Sequence, residues 1–432
     1  MTGSELLRAP LAYTRADPAR DSGAFVWHED GALLIRDGRI AASGDFTAVR
    51  RAAPESPVTN WRGGLILPGF VDTHIHFPQL RIVGALGRTL LDWLERSALP
   101  EEIRMADTSY AADTARRFLQ ALASHGTTTA LVFGAHFADA TAALFEAADA
   151  ACLRIVSGLV VSDRALPPEL HQTVEQAYRE STGLIRRFHG SGRTLYAATP
   201  RFAYSTSEAM LEMCQTLVRE HPTIRIQSHI NENQAEIAGV RAAFPWARDY
   251  LAVYERYSLT GRHAVLAHNV HTTDAELDRL AASRTTIAHC PASNAALGSG
   301  IFPLRRHLDA GVHVSLGTDV GGGTGFSMIK EALFAHLMQR VGPSPFVLNT
   351  PRMLYLATLA GAQALSLDSE IGSFCPGKAA DLVYLRPPDG GPLAAVLERA
   401  SGPEDVLGAV FTLAGSESVR EVRVGGTRVY AA

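Results

Sequence analysis

The run Phe70-Val71-Asp72-Thr73-His74-Ile75-His76 ends in two histidines at alternate positions. In an extended strand, residues i and i+2 point to the same face, so His74 and His76 aim side by side past the strand end. Two converging imidazoles suit a zinc or iron ion. A His-x-His pair is a weak signal alone, and its weight comes from partners elsewhere in the chain. His229 and Asp319 complete a set of three imidazoles and one carboxylate around a single cation, with a position left for water. A cation there would bring that water's pKa toward neutrality. Asp319 can hold the cation with one oxygen and take a proton with the other. Glu232, three residues after His229, is the natural proton shuttle from water to leaving group. Its alternative is a cap on the next helix. His268 either polarises the nucleophile or a developing oxyanion, or is structural. His289 is expected to pack or to support the site, and His271 to lie outside it.

These residues fall at the ends of apolar runs. The runs are 70–76, 128–133, 154–161, 195–201, 224–231, 264–270, 286–291 and 313–319. Segments with helical periodicity lie between them, among them 111–124, 168–188, 208–220 and 274–282. Eight alternating strand and helix units over about 250 residues predict a closed (β/α)8 barrel of parallel strands. An open doubly wound sheet is the alternative. Barrel sites form at the carboxyl ends of the strands, where His74, His76, Arg201, Phe202, His229, His268, His289 and Asp319 stand. The only lysines, Lys330 and Lys378, lie far from the fourth strand end, so a carbamylated lysine bridging two metals is not available there. One metal per chain is expected.

Asp37-Gly38 between apolar runs predicts a hairpin. Residues 381–385 read as a strand, and 422–430 fold over Gly425-Gly426. The expected organisation is a small β-sandwich composed from residues 1–67 and 375–432, with the barrel over 68–374. Gly317 to Gly325 lacks the spacing of a phosphate-binding or dinucleotide loop, and is read as a flexible loop that lets backbone approach a ligand beside Asp319. Trp93, Phe77 and Tyr204 are read as core. Phe202 is kept for the site because it adjoins Arg201.

The chain has 432 residues and a formal charge of −4. That gives no basic footprint for nucleic acid. Cys152, Cys214, Cys290 and Cys375 are scattered and are expected to be reduced thiols. The first residues lack a signal-peptide pattern. The uncharged stretch 118–138 is too polar for a membrane span. A soluble cytoplasmic protein is expected.

Pro68 to His76 with Gln79 resembles the metal-binding opening of the amidohydrolase superfamily. Thr199-Pro200-Arg201-Phe202, Ser228 to Asn233, Ala267-His268, His289-Cys290-Pro291 with Ser293-Asn294, and Leu316 to Gly322 extend the resemblance in order, and within the superfamily they are similar to the guanine deaminases. The resemblance implies zinc on His74, His76, His229 and Asp319, with iron as the alternative. It implies Glu232 as acid and base, His268 orienting the water, and Gln79 and Arg201 hydrogen-bonding the polar edge of a purine with Phe202 against the ring. His229, Glu232 and Asp319 would also contact the substrate. The implied reaction is hydrolysis of guanine to xanthine and ammonia by attack at C2, in a homodimer. The rivals are a related aminohydrolase or chlorohydrolase acting on another aromatic N-heterocycle (a pterin, an oxidised guanine, a triazine) and a non-catalytic scaffold.

Overall fold

A computed structural model describes residues 3–432. Eight strands run in one direction: β1 (Phe70–His76), β2 (Thr127–Phe133), β3 (Arg154–Gly158), β4 (Thr194–Pro200), β5 (Arg225–Ile230), β6 (Ala264–His268), β7 (Thr286–His289) and β8 (Val314–Leu316). Each pairs in parallel with the next. Every residue of β1, β2, β5 and β6 is buried, as a parallel sheet covered on both faces requires. The helices Thr108–Ser124, Val174–Phe188, Glu208–Glu220 and Asp274–Ser283 form part of the outer layer. Their starts are encoded locally. Asp107, Thr173, Ser207 and Thr273 each accept a backbone N–H as the capping residue, typically worth about 1 kcal/mol. The helix expected from Pro168 begins only at Val174, after a single 3-10 turn over Pro168–Leu170.

The ring closes between the residues just after β8 and β1. Asp319 N–H donates to the His74 carbonyl at 2.8 Å, and His76 N–H to the Val320 carbonyl at 2.9 Å. An open sheet has no such seam, so the barrel is the correct architecture. Several strands stop short of the apolar runs that encode them. The reason is local: Asn231, His268, Asn269 and Asp319 have φ of +49°, +74°, +50° and +48°. These left-handed residues end the ladder and turn side chains toward the barrel mouth, a strain that concentrates at functional sites.

Strands from both ends of the chain build a second sheet of eight strands. Ser4–Thr14, Phe25–Arg36, Arg39–Asp45, Val58–Asn60 and Leu65–Pro68 come from one end, and Leu382–Leu385, Val419–Val424 and Thr427–Ala431 from the other. Leu65–Pro68 pairs antiparallel with Leu382–Leu385 and joins the two ends. The strands form one hydrogen-bonded path, with Val58–Asn60 added on Ser4–Thr14. Asp37 and Gly38 turn the predicted hairpin at φ +50° and +74°. A Cβ on Gly38 would collide with the Gly425 carbonyl, so the two terminal hairpins meet at their turns and need glycine there. All four cysteines are free thiols. Among the described residues, no helix is long and apolar enough to cross a membrane.

Candidate active site and metal centre

The strand order brings His74, His76, His229 and Asp319 together, all buried, with one donor atom from each within 4.8 Å of the others. His76 Nε2 lies 3.3 Å from both His74 Nε2 and His229 Nε2. Asp319 Oδ1 is 3.2 Å from His74 Nε2 and 3.3 Å from His76 Nε2. His229 Nδ1–H donates to the Arg201 carbonyl at 2.6 Å, which leaves its Nε2 with a bare lone pair facing the cluster. Burial holds the His74 ring down to about 3 and the His229 ring well below the usual imidazole range. Burial pushes the Asp319 carboxyl up, but its contacts with His74 and His76 outweigh this and hold it well below the usual range. Convergent lone pairs at this spacing repel unless a cation or proton lies among them. Neighbouring ligands at about 2.0–2.1 Å from one ion would themselves stand roughly 3 Å apart. The donor set therefore fits a metal ion. Cys290 lies within similar reach of His74 and His268, but burial first, then nearby carboxylates, keeps its thiol well above its usual range.

Glu232 and His268 stand beside this cluster. Glu232 Oε2 is 3.5 Å from His268 Nε2, and His268 Nε2 is 3.8 Å from Asp319 Oδ2. His268 Nδ1–H points to Asn294 Oδ1 at 2.9 Å, so Nε2 faces the two carboxylates, buried and without a hydrogen-bond partner. Ser293 Oγ donates to Asp319 Oδ2 at 2.6 Å, and Ser299 Oγ to Glu232 Oε1 at 3.2 Å. Burial, then the charge of Asp319, raises the Glu232 carboxyl to about 8, so it carries a proton near neutrality. The helix-capping role belongs to Glu236, which forms a capping box with Asn233.

The cavity beside the cluster is also lined by Gln79, Arg201 and Phe202 and by the apolar side chains of Leu90, Trp93, Leu94 and Leu297. Trp93 was expected in the core; it packs among Leu90, Leu94 and Phe202 but also faces the cavity. Phe77 is core, against Phe118 at 6.2 Å. Tyr204 lies half-buried against Phe202. Arg201 Nη2 donates to Glu102 Oε1 at 2.7 Å, and Gln79 Nε2 donates to the same oxygen at 2.8 Å. Gly321 N–H donates to Gln79 Oε1 at 2.9 Å.

The glycine run beside Asp319 is not a loose loop. Gly317, Gly321, Gly322 and Gly323 are buried, and a Cβ on Gly317 would lie 2.7 Å from His74 Cβ. Glycine is needed there so that β8 can approach β1. Asp72 ties the same seam, accepting from Thr318 Oγ1 at 2.5 Å and from the His74 and Thr318 N–H groups at 3.1 Å.

Residues 65–429 match the amidohydrolase family, and residues 31–55 match an imidazolonepropionase-like composite domain of bacteria. The chain belongs to the amidohydrolase family. This amidohydrolase is 54% identical to a probable guanine deaminase of Deinococcus radiodurans, over 99% of each chain. It is 40% identical to a guanine deaminase of Escherichia coli, over 100% of this chain and 99% of the relative. A solved guanine deaminase of C. acetobutylicum with guanine in its active site superposes with a TM-score of 0.91 at 26% identity, over 99% of this chain and 100% of that one.

Two buried residues packed beside Arg201 escaped the sequence reading. Glu102 lies on a short helix, Leu99–Ile103, in the long connection from β1 to β2, and nothing in Pro100-Glu101-Glu102 separates it from a surface acid. His136 follows β2 by three residues, at a strand end like the others. Its place past a carboxyl end was the available signal. His289 stacks on Phe302 at 4.3 Å and His271 Nε2–H reaches the Ser299 carbonyl at 2.8 Å, so both stand outside the donor set.

Proposed function

We propose that this amidohydrolase deaminates guanine to xanthine and ammonia, using one zinc ion on His74, His76, His229 and Asp319. The observation that carries the reading is that Gln79 and Arg201 line the same cavity as the donors His76, His229 and Asp319 and as Glu232. The full-length relatives named guanine deaminase support the same substrate. Zinc is the proposed ion, with iron as the alternative, because three imidazoles and one carboxylate with a position left for water suit such an ion.

The ion, when bound, supplies a water acidified toward neutral pH. The chain does the rest. Gln79 and Arg201 hydrogen-bond the base, Arg201 favouring a carbonyl oxygen that adenine lacks. Phe202, with Trp93 and Leu297, lies against the ring and excludes water. His268 Nε2, free of other partners, orients the attacking oxygen toward C2 of the base. Glu232 delivers a proton to the neighbouring ring nitrogen as the C2–O bond forms. Asp319 takes the first proton of the water and Glu232 relays it to the amine; the C2–N bond breaks, ammonia leaves, and the second proton of the water returns to Glu232 as the C2 hydroxyl becomes the carbonyl of xanthine. A homodimer acting in the cytoplasm completes the proposal, and sedimentation of the purified protein tests the dimer.

The decisive experiment is a substrate panel with metal analysis. Guanine should exceed adenine in kcat/KM by about 10⁴-fold, as for a site built to bond a group the analogue lacks. Chelation should remove activity and zinc should restore it. Turnover of a pterin or a triazine with none of guanine would overturn the substrate, and a metal-free active protein would overturn the chemistry.

A further inference from the structure

Glu102 touches both groups assigned to read the base. It is buried behind the cavity wall, 4% exposed. Its Oε1 accepts from Gln79 Nε2 and from Arg201 Nη2, and its Oε2 accepts from Arg201 Nε at 3.3 Å. These contacts fix the Gln79 amide. A carboxylate only accepts and the Gly321 N–H only donates, so the reversed amide would set oxygen against oxygen and N–H against N–H. One Gln79 N–H, one lone pair and the unshared guanidinium N–H groups remain for a ligand. Glu102 is thus the common anchor of the edge.

Charge is balanced at the same point. Burial pushes the Glu102 carboxyl up, but the Arg201 charge, with smaller help from His136, prevails and holds it down to about 2. His136 Nδ1 approaches Glu102 Oε2 at 3.5 Å, with neither ring nitrogen hydrogen-bonded. Burial holds that ring down to about 4, so it brings no second positive charge near neutral pH. One buried carboxylate therefore matches one buried guanidinium, and the edge offers donors without net charge.

We infer that Glu102 is the positioning residue of the recognition edge, and that its pairing with Arg201 makes the cavity select an uncharged base over an anionic ligand of the same shape. The inference rests on the assignment of Gln79 and Arg201 to base recognition. An unpaired guanidinium in a buried cavity draws an anion, because charges attract strongly where water is excluded. A paired one reads shape and donors instead.

The test uses the metal-loaded enzyme, with guanine as substrate and urate, a purine anion at neutral pH, as inhibitor. Glu102→Gln should raise the KM for guanine at least about tenfold, the loss of a charge-assisted anchor, with kcat within about threefold. It should also lower the urate Ki at least about tenfold, at unchanged metal content. A fall in kcat with guanine KM and urate Ki both unchanged would make Glu102 merely structural and overturn the inference. If Glu102→Gln fails to fold, Glu102→Asp decides. It keeps the charge and shortens the reach, so the KM should rise while the urate Ki stays, and an unchanged KM overturns the inference. Arg201→Ala measured alongside separates the two levels. An unchanged guanine KM in that variant places the fault in the base-reading assignment, not in the role of Glu102.

Discussion

The backbone N–H of Asp319 donates to the His74 carbonyl at 2.8 Å, and their side chains meet again at 3.2 Å between Oδ1 and Nε2. The bond that closes the barrel is thus the bond that brings the eighth strand's carboxylate to the first strand's imidazoles. Closure and the donor cluster share one seam, and a disturbance of the seam should register in both.

Gly317→Ala tests that linkage without replacing a donor. Its Cβ would lie 2.7 Å from His74 Cβ and 2.9 Å from the His74 backbone nitrogen and oxygen. Backbone must shift, at a cost of about 1–3 kcal/mol for an overpacked site. The expected outcome is a lower Tm together with weaker metal retention on dialysis against a chelator. A variant with a lowered Tm and undiminished metal affinity would separate the two.

Glu232→Gln should leave the donor set and the fold intact. Glu232 is not one of the four donors, Glu236 keeps the helix cap, and glutamine imitates the protonated carboxyl that burial favours. The kcat should fall by about 10²–10⁴-fold, the usual worth of a positioned acid and base. Metal analysis and steady-state kinetics check it. Retained turnover would move the proton to another group.

Arg201→Ala should act on stability as well as on recognition. It strands the buried Glu102 carboxylate, which for a broken buried pair costs about 3–5 kcal/mol. Adding Glu102→Gln should recover much of that loss, a coupling visible in chemical denaturation of the two single variants and the double. On activity, Arg201→Ala should lower kcat/KM for guanine at least about tenfold. Additive stability losses would show that the pair at 2.7 Å is not coupled.

Acid should weaken the folded state through the same carboxylate. The Glu102 pKa is about 2 when folded against an ordinary 4.5, so the folded state binds its proton less readily than the unfolded chain. Its stabilisation is complete above about pH 4.5 and drains away as the pH falls toward 2. For so large a shift it is on the order of 3 kcal/mol. Urea denaturation of wild type and Glu102→Gln between pH 6 and 3 reads the difference in slope, which removes acid effects common to both. Parallel slopes would mean that Glu102 is not held ionised by Arg201.

Much of the site was legible because its residues obey short-range rules. His74 and His76 share a face by strand periodicity, and Asp37-Gly38 turns a hairpin by backbone preference alone. Arg201, His229, His268 and Asp319 each stand at or near the end of an apolar run, and the runs did become β4, β5, β6 and β8. Glu232 left two roles open from sequence, since an acid at a helix start also reads as a cap. The capping box on Glu236 gave the cap another owner.

The sequence by itself determined the alternating strands and helices, the mouth at which the donors gather and the types of those donors, because periodicity and strand ends are local properties. Tertiary structure alone decided that the Gly317 to Gly323 run is packed against β1, that Trp93 faces the cavity, and that Glu102 joins Gln79 to Arg201, a residue 99 positions further along the chain than Glu102. Such contacts depend on how distant segments converge, and no local pattern distinguishes a glutamate that will be buried against a guanidinium from one that will stay in water.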